Sequence, residues 1–259
     1  MVKMKFVAIP STYTAEQKNL YIRTYRIGIL ARVCSTFAID KIAVYYDKDP
    51  KFESHALGRF IVKVLKYCNT PPHLKKYLFP KDKDLRYVGV VPPLKTPMHA
   101  PQDFNSKYRQ GYVLEVKRKV KVDCGLDKPI YVKGKASKGD IVFVDLERRK
   151  IVKPRGVYTG YDAFYFNKGL EILLSELRSK NYFIIGTSKF GKPINEIKLE
   201  KRKNIAIIFG SPFRGLLDIC DANHFDALIN FVPDQSVLTI RTEEALHYVL
   251  AILRYLSIL

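Results

Sequence analysis

Acidic residues, paired cysteines and long apolar runs are what this chain is short of. Of its 259 residues only 25 are Asp or Glu, against 45 Lys or Arg, so the formal charge is +20. That balance argues against a cationic partner and for a polyanion, because each phosphate neutralised by a basic side chain releases counterions. Four cysteines, Cys34, Cys68, Cys124 and Cys220, stand too far apart in sequence for a Cys-x-x-Cys motif. This argues against a structural zinc site, and a chain long enough to bury its own core needs no disulfides. The five histidines, at 55, 73, 99, 224 and 247, show no metal-ligand spacing, so no metal is expected. No apolar run is long and charge-free enough to cross a bilayer, and the N-terminal run Phe6 to Pro10 is too short for a signal peptide. The expectation is a soluble cytoplasmic protein with no membrane partner. There is no Gly-x-Gly-x-x-Gly, which excludes the dinucleotide fingerprint. Gly210 and Gly215 have P-loop spacing, but Leu216 and Leu217 stand where Lys and Ser or Thr are required.

What is present divides into two textures. Lys5 to Ile9 and Lys41 to Tyr46 read as buried strands, and Leu57, Phe60, Ile61, Val64 and Leu65 mark a helix. Between the strands lies an earlier helix carrying Leu20, Ile27, Leu30, Ala31 and Cys34, which a capping box at Thr14 and Gln17 is expected to open. From Tyr87 to about Gly160 the helical period disappears. Short alternating runs, such as Tyr112 to Val122 and Ile141 to Leu146, are separated by glycine turns and suggest a small barrel. Strand and helix return after Tyr161 and end in a helix over Thr242 to Ile258. An all-β segment therefore interrupts an α/β domain: residues 1–92 and 161–259 form one discontinuous domain, and 93–160 an insert.

Two loops carry the ligand signals. Phe209-Gly-Ser-Pro-Phe-Arg-Gly-Leu216 follows an apolar strand, and its glycines allow close backbone approach. Phe231-Val-Pro-Asp-Gln-Ser-Val-Leu-Thr-Ile-Arg-Thr-Glu-Glu-Ala245 joins a strand to a helix capped at Thr242, with Glu243 and Glu244 in its first turn. Together with Gly186-Thr-Ser188 they are expected to share one edge of an open sheet, where α/β folds bind ligands.

These segments resemble the SPOUT, or trefoil-knot, RNA methyltransferases. The similarity is to the archaeal and eukaryotic branch of RNA uridine-N3 methyltransferases with an inserted OB-like barrel. It covers nearly the whole chain and is carried by Arg23-Thr-Tyr-Arg-Ile-Gly-Ile-Leu-Ala-Arg32, Thr70-Pro-Pro-His-Leu-Lys-Lys-Tyr-Leu-Phe-Pro80, Asp84-Leu-Arg-Tyr87, Pro92-Pro-Leu-Lys-Thr-Pro97 and the two loops. The resemblance implies a SPOUT α/β trefoil-knot domain, discontinuous, with a small all-β barrel inserted. It implies S-adenosylmethionine as cofactor, held by Thr187, Gly210, Gly215, Val232, Gln235, Val237 and Thr242. It also implies a homodimer, with which the apolar girth of the last helix agrees. Arg32 is the catalytic candidate by the same resemblance, and Arg23 and Arg26 on the same helix could share the role. The proton acceptor is left open between water and an unidentified carboxylate.

The implied substrate is RNA, with uridine N3 in large-subunit ribosomal RNA as the expected target. A ribose 2′-hydroxyl is the alternative acceptor, and a non-catalytic RNA-binding assembly factor the alternative function. In the insert Lys107, Arg109, Lys117, Arg118, Lys119, Arg148 and Arg149 are the candidate RNA contacts, interleaved with tyrosines as cationic and aromatic surfaces for single strands are.

Overall fold

The computed structural model describes residues 4–99 and 106–259. Residues 1–3, and residues 100–105 within the expected insert, lie outside it. The chain forms two compact units: residues 1–66, 86–92 and 161–259, and residues 67–85 with 93–160.

The first unit is built on a six-stranded sheet. In chain order its elements are β1 (Met4–Pro10), α1 (Leu20–Thr36), β2 (Lys41–Tyr45) and α2 (Ser54–Asn69), whose last turn belongs to the second unit. The second unit supplies α3 (Pro72–Leu78), β3 (Tyr108–Val116), β4 (Val120–Asp123), β5 (Ile130–Val132), β6 (Ile141–Asp145) and β7 (Lys150–Ile151). The first unit resumes with β8 (Asp162–Phe166), α4 (Leu170–Ser179), β9 (Phe183–Pro193), β10 (Asn204–Ile208), β11 (Ala227–Asn230) and α5 (Thr242–Tyr255). The sheet order is β11-β9-β10-β1-β2-β8, and every pairing is parallel. Such a sheet must be covered on both faces, which is why its strands read as unbroken apolar runs. Phe6, Ala8, Ala43, Tyr45, Ile184, Ala206 and Ile208 pack against Leu170, Leu173, Leu174 and Leu177 of α4 on one face. The alternate residues Val7, Ile9, Ile42, Val44, Ile185, Ile205 and Ile207 are equally buried, and α1 packs against α5.

Two helix starts differ from the sequence expectation. Residues 11–16 form turns, and α1 opens at Leu20 with Asn19 as its cap, the Asn19 side chain accepting from the Tyr21 N–H at 2.8 Å. Thr14 is buried within the turns instead of capping the helix. In α5 the cap is Arg241, whose N–H donates to Glu244 Oε2 at 2.9 Å, and Thr242 is the first helical residue.

The second unit is an antiparallel sheet in the order β5-β4-β3-β6-β7. A bridge between Lys133 and Lys150 joins its two edges, so the sheet nearly closes into a small barrel. Strand alternation puts Val113, Val120, Val122, Val132 and Val144 into its core. The helix α3 packs on β3: Tyr77 stacks on Tyr112 with centroids 4.1 Å apart, and its hydroxyl donates to Asp123 Oδ2 at 2.8 Å.

Candidate functional site

At the carboxyl ends of the parallel strands three chain segments enclose a cleft of about 970 Å³. The first is a bow within β9. Leu228 pairs with Gly186 and Ile229 with Lys192, so the residues between leave the ladder and loop outward. Thr187 begins that bow, and its hydroxyl donates to the Ile208 carbonyl at 2.9 Å, tying it to β10. The second is the loop after β10. It turns tightly, the Ser211 N–H donating to the Arg214 carbonyl at 2.9 Å, and Gly210 lies under the turn. A Cβ on Gly210 would stand 3.1 Å from the Leu216 nitrogen and 3.3 Å from the Arg214 oxygen. The third is residues 231–242, whose Gln235 amide donates to the Val237 carbonyl at 2.7 Å and so braces its own loop.

All seven residues predicted for the cofactor, Thr187, Gly210, Gly215, Val232, Gln235, Val237 and Thr242, line this cleft. The side chains of Thr187 and Gln235 are spent on protein carbonyls. Of the predicted seven, what remains for a ligand is backbone at Gly210 and Gly215, the apolar Val232 and Val237, and Thr242.

A buried carboxylate clasps the second loop. Asp47, 2% exposed at the end of β2, accepts from Arg214 and from the Thr12 hydroxyl, while its own N–H donates to Ser11 Oγ at 3.0 Å. Arg214 also donates to the Lys48 carbonyl at 2.7 Å. The glycine loop is thus fastened to the ends of β1 and β2. Sequence reasoning takes in Arg214 with its motif but misses Asp47, because nothing local marks a carboxylate whose partner lies 167 residues away.

The three candidate arginines separate. Arg26 lines the cleft but is 5% exposed and committed: Nε and Nη2 donate to Glu243 at 2.6 and 2.9 Å, and Nη1 donates to Glu16. It also lies 5.3 Å over the ring of Tyr13, a phenol whose pKa burial pushes well up. Arg23 donates to the Gln17 carbonyl, and burial lowers its pKa. Arg32 is exposed on α1 and does not line the cleft of its own chain. Its side of α1 also exposes Tyr21 and Tyr25, 47% and 45% accessible. On α5, Leu246, Val249, Leu250 and Leu253 are buried as expected, but Tyr248 and Tyr255 are exposed, the latter 87%.

The expected RNA contacts also divide. Lys107, Lys117, Arg118, Lys119, Arg148 and Arg149 are exposed. Arg109 is not a surface residue: it is 4% exposed, because the alternation of β3 points 109, 111 and 113 inward. Near-closure of the barrel brings Lys119 and Arg149 to one surface. Val120 pairs with Val132, which sets Lys119 beside Lys133, and the Lys133 N–H donates to the Arg149 carbonyl at 2.9 Å. Lys150, part of the basic run with Arg148 and Arg149, and the half-exposed Tyr131, one of the interleaved tyrosines, join this surface, as does Lys133, which no sequence signal sets apart. Among the described residues no group of three His, Cys, Asp or Glu could hold a metal, and no helix is long and apolar enough to cross a membrane.

Comparison with known proteins follows the same lines. Residues 5–253 match the family described as "Putative RNA methyltransferase". An uncharacterized protein of Haloarcula marismortui is 32% identical, the alignment spanning 93% of this chain and 95% of that one. The 28S rRNA (uridine-N(3))-methyltransferase of Mus musculus is 28% identical over 96% of this chain and 75% of its own. Among solved structures, "a putative RNA methyltransferase of the TrmH family from Porphyromonas gingivalis" covers 97% of this chain with a TM-score of 0.44 and 9% identity, and this chain spans 59% of it.

Proposed function

The chain belongs to the Putative RNA methyltransferase family, and on that premise we propose that it transfers a methyl group from S-adenosylmethionine to N3 of a uridine in ribosomal RNA. The observation that carries this reading is the convergence of all seven expected cofactor residues on one cleft. The donor set fits the group. Tightly turned backbone around Gly210 and Gly215, an apolar wall at Val232 and Val237, and about 970 Å³ of space suit an adenosyl moiety read mainly through main-chain groups. Bound there, S-adenosylmethionine supplies an electrophilic methyl group on a sulfonium. The reading includes a knotted C-terminal chain and a homodimer. The tyrosines exposed on α1 and α5 support the dimer, since apolar surface of that kind marks an interface.

Arg32 then acts in the partner's cleft. It lies on the exposed α1 surface and outside its own cleft, which a role across the dimer reconciles. When N3 of uracil loses its proton, negative charge spreads over O2 and O4, and a preplaced guanidinium stabilises it as it develops. Because N3 lies on the Watson–Crick edge, the target uridine must be unpaired or flipped out.

Gly210→Val tests the cleft. A branched side chain set against the Leu216 nitrogen and Arg214 oxygen is expected to weaken S-adenosylmethionine binding by at least about tenfold, near 1.4 kcal/mol. Calorimetry with S-adenosylmethionine and S-adenosylhomocysteine measures this. A wild-type protein that binds neither at millimolar concentration contradicts the assignment.

The barrel serves as the RNA grip. Replacing Arg118, Lys119 and Arg149 together with alanine is expected to weaken binding to single-stranded RNA and to flatten its salt dependence. The slope of log K against log salt should fall by about 0.7 for each phosphate that is no longer neutralised. Cofactor affinity should not change. Titrations at several salt concentrations check this, and an unaltered slope removes these residues from the interface.

A further inference from the structure

The buried Arg26 at the cleft is met by two carboxylates, Glu243 and Glu16. Three carboxylates line the cleft: Glu16, Asp218 and Glu244. Two are occupied with backbone. Asp218 Oδ2 accepts the Gly215 N–H at 2.8 Å, and Glu244 Oε2 accepts the Arg241 N–H at 2.9 Å. Each caps a helical turn, and protonating either would break that cap.

Glu16 is placed differently. Its Oε1 accepts from Arg26 Nη1. That guanidinium is already neutralised by Glu243, which holds it at two points, 2.6 and 2.9 Å. The position of Arg26 is fixed further by the Tyr13 ring beneath it and by the Tyr13 hydroxyl, which donates to the Arg26 carbonyl at 3.1 Å. Neutralising Arg26 therefore does not account for Glu16. What the arrangement does give Glu16 is a fixed orientation: one carboxylate oxygen on an immobile N–H, with the side chain 28% accessible at the cleft.

Other proton acceptors in the cleft are few. None of the lining residues is a histidine. Lys189 donates its ammonium to the Leu238 carbonyl at 3.2 Å. The arginines retain their protons at any working pH. Resting on the uridine-N3 reading above, we propose that Glu16 is a catalytic residue, the base that receives the N3 proton of the target uridine.

The chemistry balances. The N3–H bond breaks, and its proton passes to a carboxylate oxygen of Glu16. The electron pair left on N3 forms the new bond to the methyl carbon. The carbon–sulfur bond breaks with its pair remaining on sulfur, which leaves S-adenosylhomocysteine and 3-methyluridine. Glu16 then returns its proton to water. A selection follows from the same contact. Uridine presents N3–H, a donor, to the carboxylate, whereas cytidine presents a lone pair at N3 and meets it acceptor to acceptor. Sites built to hydrogen-bond a donor reject analogues that lack it.

The test is Glu16→Gln, which keeps an oxygen for Arg26 and removes the basicity, with Glu16→Asp as the conservative companion. Three quantities are measured on the full chain. Calorimetry with S-adenosylhomocysteine should show affinity within about threefold of wild type, which also establishes that the variant is folded. Single-turnover transfer to in vitro transcribed large-subunit rRNA should fall by about 100-fold or more, since positioned bases contribute that much. The residual rate should keep climbing with pH where the wild-type rate levels off, and Glu16→Asp should recover part of the loss. Without any turnover, the wild type saturated with S-adenosylhomocysteine should bind an A-rich oligoribonucleotide containing one uridine more tightly than its cytidine twin, by about tenfold, and Glu16→Gln should lose that preference.

A Glu16→Gln enzyme within about threefold of the wild-type rate overturns the proposal. So does a variant that loses S-adenosylhomocysteine affinity yet transfers normally at saturating cofactor, which would make Glu16 a counter-charge to the cofactor. A wild type that methylates rRNA at N3 but does not distinguish the two oligonucleotides overturns it as well. A wild type that makes no 3-methyluridine removes the underlying uridine-N3 reading, and this proposal with it.

Discussion

Arg32→Ala is expected to slow methyl transfer by about 100- to 1,000-fold while leaving S-adenosylmethionine affinity intact, the usual cost of removing one electrostatic stabiliser of a transition state. The residue is exposed and absent from its own cleft, so its loss should leave binding at that cleft intact. Arg32→Lys should recover only part of the rate, because an ammonium cannot span O2 and O4 as a planar fork does. The proposed dimer adds a sharper expectation. When Arg32→Ala and Gly210→Val protomers are mixed, half of the dimers carry one of each. In those, an intact cofactor loop faces an intact Arg32 across the interface. At S-adenosylmethionine too dilute to load the Gly210→Val loop, two preparations of low activity should then regain about a quarter of the wild-type activity by subunit exchange. Single-turnover assays before and after mixing measure it. No recovery, or an Arg32→Ala enzyme close to wild type in rate, would remove Arg32 from the partner's cleft.

Arg26→Ala should act on stability instead. The guanidinium is 5% exposed and holds Glu243 at the start of α5 and Glu16 in the turns after β1. Removing it strands buried negative charge, which costs about 3–5 kcal/mol when one partner of a buried pair is lost. Urea unfolding should show that loss. Replacing Arg26 and Glu243 together with apolar residues of similar size should recover most of it, since the second change removes the stranded charge. The first turn of α5 and the 231–242 loop share the Glu243 anchor, so cofactor affinity should fall in Arg26→Ala as well. An Arg26→Ala protein within about 1 kcal/mol of wild type would mean that the pair is worth no more than a surface salt bridge.

The sheet is legible in the sequence because a parallel sheet covered on both faces leaves continuous apolar strands, and Lys5 to Ile9 and Lys41 to Tyr46 read accordingly. The loop after β10 is legible as a wall of the cleft because a glycine marks close backbone approach, which the structure shows at Gly210. The misreadings have local causes. Thr14 and Gln17 have capping-box spacing, but the chain spends those residues on turns that bury Tyr13, and Asn19 caps α1. Arg109 resembles one more surface cation, although the period of β3 points it inward. The bow in β9 reads as the end of a strand at Gly186, because a looped-out stretch that later rejoins its ladder has no periodic signature. Glu16 and Asp47 carry no functional mark in the sequence, and Glu243 is marked only as a first-turn acid of the last helix, not as a partner of Arg26. Their significance lies in partners 10, 167 and 217 residues away, and charge alone does not announce a partner.

The central claim is tested most directly by product analysis. Purified protein is incubated with S-adenosylmethionine labelled in its methyl group and with unmodified large-subunit rRNA, and the RNA is digested to nucleosides and resolved by mass spectrometry. The expected result is label in 3-methyluridine at one or a few positions, dependent on intact Gly210 and Arg32. Label in 2′-O-methylated nucleosides instead, or no labelled nucleoside from a protein that binds the cofactor, would contradict it.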